Sequence, residues 1–422
     1  MRVITLADSK GARQININHR LETTRPAPEP LRLVHHCDKT GSMMLSRSPM
    51  TRRPPAPAIL YLTDRSDRGE SAMILGMHRQ GIAVTVLARM DSPHVQNLQT
   101  AGVAVRGVSW HKKLDRSLLR QIREIIANEH INIVHALNSR ATLHMVLATR
   151  PLHRLGKSPK LIAYLGVTGN VAWWSPLSWM RFLNPRIDRI ICVAEAVRRY
   201  LLDDVRWLGR KLDPAKVITI YKGHELEWYQ QHALDTGEFG LPEGAMVVAV
   251  ASRLRPRKGL VELVRALALT DPKRAIHLLF IGHTGNDAMR AAMARLAHPE
   301  RVHFTGFRPD APAIMAASDV CCLPVLRGEG LSRAVIEGMA CGIAPLVTNV
   351  GGNAELVVDG ESGLVVAAGD EPALAAALEY LYDHPDRRRS MGRAARERID
   401  RHFRSRDTVR KTLDLYQQVL SG

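Results

Sequence analysis

Short apolar runs alternating with polar, helix-forming stretches set the strongest limit on what this chain can fold into. From residue 58 the series reads AILYLT (58–63), AVTVLA (83–88), INIVHAL (131–137), LIAYLG (161–166), RIICVA (189–194) and VITIY (217–221). It restarts with MVVAVASRL (246–254), HLLFIG (277–282), RVHFTGF (301–307), VCCLPV (320–325), APLVTN (344–349) and GLVVAA (363–368). Such runs, separated by stretches with helical spacing such as SAMILGMHRQG, predict parallel strands covered by helices. The expected fold class is α/β: two doubly wound, Rossmann-like domains facing across a cleft. The turn-rich stretch near 222–240 reads as the join, giving an N-terminal domain over 58–225 and a C-terminal domain over 236–400. Residues 401–422 read as a helix packing back toward the N-terminal domain. Residues 1–57, basic and interrupted by prolines from Pro26 to Pro57, read as a disordered tail without the apolar core of a signal peptide.

Ligands of doubly wound sheets bind beyond the carboxyl ends of the strands. The segment RGEGLSRAVIEGMACG (327–342) follows one such end and holds two glutamates eight positions apart. Gly330 permits a tight turn, and Val335, Ile336 and Met339 recur at helical spacing, so a helix is expected to begin near Leu331. Its first peptide N–H groups, at the positive end of the helix dipole, suit a phosphate. Glu329 precedes that anion site. Glu337 lies about 12 Å deeper and roughly 80° around the helix, so one carboxylate reaches toward each side of a pyrophosphate. Arg253 and Lys258 in SRLRPRKG, Phe307 and Arg308, and Gly351-Gly352 follow other strands of the same half and share that rim.

Composition narrows the partners. With 59 Lys and Arg against 41 Asp and Glu the formal charge is +18, which draws a protein toward phosphorylated molecules, nucleic acid or anionic lipid. An aromatic content of 5% argues against base-stacking platforms, and nucleic acid is not expected as a partner. No apolar run approaches 18 residues, so no transmembrane helix is expected. Cys37, Cys192, Cys321, Cys322 and Cys341 lack C-x-x-C spacing, which points to a reducing cytosol and away from structural zinc. No G-x-G-x-x-G follows the first strand of either half, which weighs against a nucleotide-dependent oxidoreductase. A basic membrane or nucleic-acid binder without catalysis is the other alternative.

The second half resembles the donor domain of the group 1, or family 4, retaining glycosyltransferases of the GT-B fold. The matching stretches are ASRLRPRKGLVELVRAL, FTGFRPDAPAIMAASDVCCLP, EGLSRAVIEGMACG and VTNVGGNAELVVDGESGLVV. The resemblance implies that Arg253 and Lys258 hold the donor diphosphate with the peptide groups of Gly330, Leu331 and Ser332. It further implies that Glu329 contacts the donor sugar as a catalytic residue, that Glu337 binds the ribose, and that Phe307 and Arg308 lie by the base. Family members commonly carry glycine where this chain has Ser332. The first half resembles the acceptor domain. Gly69 in SDRGES stands for the glycine of the first loop, and His135 for a histidine often found at a strand end facing the donor. Leu137 occupies a position where a second histidine is frequent. Asn138, Ser139 and Arg140 are expected near the acceptor.

The expected activity is retaining transfer of a sugar from a nucleotide sugar to an acceptor hydroxyl, in envelope polysaccharide or lipopolysaccharide synthesis. The nucleotide sugar is a co-substrate; no cofactor is expected, and no metal either, since D-x-D occurs nowhere in the chain. The acceptor is expected to be a glycan or glycolipid. VAWWSPLSWMRFLNPR (171–186) mixes tryptophans with arginines as lipid interfaces do, and suggests an anionic membrane surface as a partner of a cytoplasmic, peripheral protein.

Overall fold

The computed structural model describes residues 55–421 except 93, 109, 111–113, 207–209, 230–235 and 283–284. The expected tail therefore lies almost wholly outside the described residues.

In the first half, strands β1 (Ala58–Leu62), β2 (Ala83–Ala88), β3 (Ala104–Gly107), β4 (Ile133–Ala136), β5 (Lys160–Leu165), β6 (Arg189–Cys192) and β7 (Val217–Thr219) form one parallel sheet in the order β3-β2-β1-β4-β5-β6-β7. Its helices are α1 (Arg68–Arg79), α2 (Val95–Thr100), α3 (Arg116–Asn128), α4 (Ser139–Arg154), α5 (Pro176–Trp179) and α6 (Glu195–Arg199). In the second half, β8 (Met246–Ala251), β9 (Ile276–Ile281), β10 (Val302–Gly306), β11 (Val320–Leu323), β12 (Ala344–Thr348) and β13 (Leu364–Val366) are ordered β10-β9-β8-β11-β12-β13. Its helices are α7 (Leu260–Leu269), α8 (Asp287–Met293), α9 (Ala311–Ala316), α10 (Arg333–Ala340), α11 (Asn353–Leu356), α12 (Glu371–Asp383) and α13 (Pro385–His402).

Both sheets change direction of strand order at one place, between β1 and β4 and between β8 and β11. Such a switch point opens a crevice beyond the strand ends, because the loops on its two sides turn away from each other. Gly69 and Asn138 follow the first pair, and Lys258 and Glu329 the second. The central strands are buried on both faces, which is why they read as continuous apolar runs. Strand β3 is different: its pattern AVRG lies at a sheet edge and is largely exposed, so no apolar run announces it.

Helix α14 (Ser405–Ser421) follows α13 and lies on the first half, where Val409, Leu415, Tyr416 and Val419 share a core with Ile59 and Tyr61. The chain thus crosses between halves twice, and the crossings run side by side. His224 donates its peptide N–H to Phe403 O at 2.8 Å, and Ser405 returns one to His224 O at 3.3 Å. Thr408 Oγ1 accepts the Gly223 N–H at 2.9 Å and donates to Tyr221 O at 2.8 Å.

Candidate functional site

On the second half, the loop after β11 carries the site. Lys258 Nζ lies 2.6 Å from Glu329 Oε2, and both side chains are mostly withdrawn from solvent. Gly259 takes a left-handed conformation, φ 70°, packed against the Pro324 carbonyl where any Cβ would collide, so Lys258 is delivered to the loop at close range. Arg257 Nη1 donates to the Gly328 carbonyl, and Thr348 Oγ1 donates to Val325 O at 2.6 Å. Helix α10 begins at Arg333, two residues later than its apolar spacing suggests, with Ser332 as an extended N-cap whose side chain makes no capping bond. The N–H groups of Leu331 and Ser332 have no partner among the described residues. A lysine, a carboxylate and unpaired amides at a helix start are suited to an anion bearing hydroxyls.

The other expected donor residues are spread around this loop. Glu337 is half-buried and pairs with Arg333 at 3.4 Å; burial raises its pKa while Arg333 and Arg68 work against that rise. Arg253 is exposed. Phe307 is 85% exposed, an apolar ring standing free at the end of β10. Arg308 is taken up by Asp310 at 2.7 Å and Glu238 at 3.2 Å and lies over the Phe239 ring.

The first half faces this loop closely. Gly330 abuts the Gly166 carbonyl so tightly that no Cβ could fit, and Thr168 Oγ1 lies 3.4 Å from the Glu329 carbonyl. Beside that contact is a cavity of about 130 Å³ lined by Asp67, Gly69, Tyr164, Lys222, Leu331 and Arg333, among others. Asp67 caps α1 by accepting the Glu70 N–H at 2.9 Å. Lys222 Nζ bridges Asp67 Oδ2 at 2.7 Å and Glu70 Oε1 at 3.0 Å. Gly69 rides over Lys222, where a Cβ would stand 2.8 Å from its Cγ. Burial opposes the Asp67 charge, but Lys222, the Glu70 N–H and Arg333 together hold the carboxyl below its usual range. Glu70, more deeply buried, is pushed up to about 7 by burial although Lys222 opposes the shift. Asp67, Glu70 and Lys222 were not singled out in the sequence, although D-x-x-E before an apolar helix is a capping-box signal.

His135, expected at the catalytic centre, is buried between β4 and α14. It points from β4 toward α14, is 1% exposed, and shares Nδ1 with Tyr416 Oη at 2.7 Å; Tyr416 in turn lies 2.9 Å from Tyr61 Oη. Burial pushes its imidazole down to about 3, so it is neutral. A chamber of about 20 Å³ touches His135, and Gly69, Tyr164 and Lys222 line both that chamber and the larger cavity. The His135 side chain is thus held in the core between β4 and α14. Asn138 and Arg140 are also engaged locally. Asn138 caps α4 by accepting the N–H groups of Arg140 and Ala141 and donates to Asp64 at 2.8 Å. Arg140 donates to the Trp110 carbonyl at 3.1 Å.

Residues 234–398 match the profile of the glycosyl transferases group 1, and residues 72–228 that of glycosyltransferase family 4. The chain belongs to the group 1, family 4 glycosyltransferases. Among curated relatives of this glycosyltransferase, the N-acetyl-alpha-D-glucosaminyl L-malate synthase of Bacillus anthracis is 26% identical over 72% of this chain and 80% of its own length. The putative glycosyltransferase EpsD of Bacillus subtilis is 30% identical over 43% of this chain and 48% of its own length. Several other relatives are likewise spanned over only about half their length, including a D-inositol 3-phosphate glycosyltransferase of Corynebacterium glutamicum at 53%. Among solved structures, a glycosyltransferase from Rickettsia africae superposes with a TM-score of 0.71 at 19% identity, covering 86% of this chain and 98% of its own. Anabaena HepE in complex with UDP superposes with a TM-score of 0.68 at 19% identity, covering 86% and 100%. The fold of this glycosyltransferase is GT-B, as the sequence led us to expect.

Proposed function

We propose that this glycosyltransferase moves a sugar from a nucleoside diphosphate sugar to an acceptor hydroxyl with retention at the anomeric carbon and without a metal. The observation that carries this reading is the Lys258–Glu329 contact at the unpaired amide end of α10. Lys258, Arg253 and the amides of Leu331 and Ser332 take the diphosphate, and Glu329 turns from Lys258 to the sugar hydroxyls as the donor enters. HepE, which shares the fold, has been crystallised with UDP and with UDP-glucose.

In the step we favour, the bond from the anomeric carbon to the diphosphate oxygen breaks while the acceptor oxygen bonds to the same face. The acceptor proton passes to the departing phosphate oxygen, so no protein base is required. Fixed positive charge at Lys258 and the helix start stabilises the charge that develops on the leaving group. Glu337 holds the ribose and the exposed Phe307 ring stacks on the base. Asp67, fixed by Lys222 on the opposite wall, accepts a hydrogen bond from the acceptor. We assign the acceptor to a lipid-borne glycan in envelope polysaccharide or lipopolysaccharide synthesis, handled at the cytoplasmic membrane face. Support comes from the +18 charge and from Trp174 and Trp179, which are exposed. No helix among the described residues is long and apolar enough to cross a membrane.

Incubation with candidate nucleotide sugars and an extract of envelope glycolipids should release a nucleoside diphosphate and yield an α-linked product from an α-linked donor. Inversion at the anomeric carbon would contradict the reading.

A further inference from the structure

Two residues that line one small chamber each hold a buried polar atom without a hydrogen-bond partner among the described residues: Glu70 Oε2 and His135 Nε2. The chamber measures about 20 Å³, and Lys222 borders it too. Met73, Leu137, Ile191 and Ile220 make most of the remaining wall apolar. The two threonine hydroxyls there are engaged elsewhere. That of Thr408 accepts from Gly223 and donates to Tyr221 O, and that of Thr412 donates to Met73 Sδ at 3.9 Å.

Hydrogen bonds beyond the chamber fix what His135 offers to it. Tyr416 donates its only hydroxyl proton to Tyr61 Oη at 2.9 Å, so in its 2.7 Å contact with His135 the donor is Nδ1. A neutral imidazole that donates from Nδ1 leaves Nε2 a bare acceptor. Glu70 Oε2 is an acceptor when ionised and a donor when protonated. A water molecule serves both states. It donates to both atoms when Glu70 is ionised, and it accepts from Oε2 while donating to Nε2 when Glu70 carries a proton. A chamber of this volume holds one water, and two polar partners suffice to keep it there.

The charges facing Glu70 favour the protonated state. Lys222, from the crossing after β7, lies 2.7 Å from Asp67 Oδ2 and 3.0 Å from Glu70 Oε1, so one ammonium meets two carboxyl groups. Asp67, on the same helix turn, has the further support of Arg333 from α10 and the more exposed side chain, 31% against 11% for Glu70. From β5, Tyr164 stays protonated because burial raises its pKa, and from β4, His135 stays neutral. From α14 come only the two threonines and, behind His135, Tyr416. Glu70 is therefore the member of the pair that holds a proton near neutrality, which agrees with burial pushing it up to about 7.

We infer that one water molecule fills the chamber between Glu70 and His135, and that Glu70 is a positioning residue for the acceptor: as a neutral acid it holds Lys222 while leaving the lysine's charge to Asp67. The role rests on the assignment of Asp67 to the acceptor made above. When Glu70 loses its proton, a second full carboxylate competes for Lys222 and Asp67 is held less firmly. The acceptor then binds less tightly. Turnover at saturation is unchanged, because Glu70 touches neither substrate.

Infrared difference spectra of the full chain between about pH 6 and 8 test the proton and the water. In the parent, the C=O stretch of a protonated, buried carboxyl should be present at the lower pH and lost at the higher; in Glu70→Gln it should be missing at both. Glu70→Gln keeps the shape of the side chain, accepts from Lys222 and donates to the water, so it removes the titration without removing the contacts. In His135→Leu, which takes away the water's second partner, the loss should move to higher pH. Identical spectra in the parent and Glu70→Gln, or an unmoved transition in His135→Leu, would overturn the water link.

Nucleoside diphosphate release with graded amounts of the envelope glycolipid extract tests the role. The half-saturating amount should rise about three- to tenfold over that pH range in the parent and stay level in Glu70→Gln, while Glu70→Leu should show the raised value throughout. An equal rise in the parent and Glu70→Gln, or a difference confined to the maximal rate, would show that Glu70 does not position the acceptor site. No release with any extract defeats the transferase reading and the role that rests on it, whereas the infrared spectra decide the water link either way.

Discussion

Glu355, in the second half, accepts the peptide N–H of Ala196, in the first half, at 2.7 Å. The same carboxylate accepts the Glu195 N–H at 2.8 Å and the Tyr221 hydroxyl at 2.8 Å. One turn before it, Gly352 donates to the Gly330 carbonyl in the loop after β11. The loop expected to bind the sugar is thereby joined, through α11, to a contact that exists only while the halves are together. Glu355→Ala removes three hydrogen bonds to a charged group, each worth about 1.5 to 3 kcal/mol. It should lower kcat by tenfold or more at saturating donor (~10-fold per 1.4 kcal/mol) and expand the particle in solution scattering, while donor affinity stays nearly unchanged. An equal loss in kcat and donor affinity would show that Glu355 serves the donor pocket itself.

Gly330→Ala should block the same approach from the other side, because its methyl group would meet the Gly166 carbonyl. A displacement of about 1 Å at a reacting centre can cost on the order of a hundredfold in rate. Turnover should fall by that order while the melting temperature changes little. Full activity in the variant would mean that the halves need not meet here.

His135 and His224 are both buried, each within 2.7 Å of a tyrosine hydroxyl, Tyr416 and Tyr229. Burial pushes both imidazoles down to about 3. The unfolded chain protonates them near pH 6.5, so between about pH 6.5 and 3 it binds more protons than the folded chain. Stability is therefore complete above the unfolded pKa and falls with pH, at about 1.4 kcal/mol per unit for each histidine. In urea unfolding at pH 7, 6 and 5, His135→Leu should show a shallower loss. Its kcat should keep the parent's pH profile. A changed profile would return His135 to the chemistry.

How far the sequence carried depends on which physical signal each feature left. The central strands were legible because burial on both faces demands unbroken apolar runs; β3, an exposed edge, left no such mark. The loop after β11 was legible as a candidate donor site because glycines and charges recur after successive strand ends. The surroundings of His135 were not legible because alternation along a strand fixes that a side chain is inward or outward but not what covers it, and here α14 supplies Tyr416 from the far end of the chain. Lys222 was hidden for a similar reason: its partners Asp67 and Glu70 are adjacent only after the sheet places β7 and α1 at one rim. The tryptophan-rich segment looked uniform in sequence, yet the fold buries Trp173 and leaves Trp174 exposed.

Metal independence rests on the absence of D-x-D from the chain. Turnover should persist in excess chelator. Activity lost with chelator and restored by magnesium or manganese would require a metal between the diphosphate and the protein.

The most direct measurement is donor binding to the parent protein and to Lys258→Met, by calorimetry with a panel of nucleoside diphosphate sugars. One or more should bind the parent, and Lys258→Met should bind the same ligand about 10- to 100-fold more weakly, as befits the loss of a charged hydrogen bond. Arg333→Gln should serve as a control for charge alone, shifting affinity several-fold less. Equal affinity in the parent and Lys258→Met, or no nucleotide sugar bound by a folded parent, would contradict the assignment of the Lys258–Glu329 loop as the donor site.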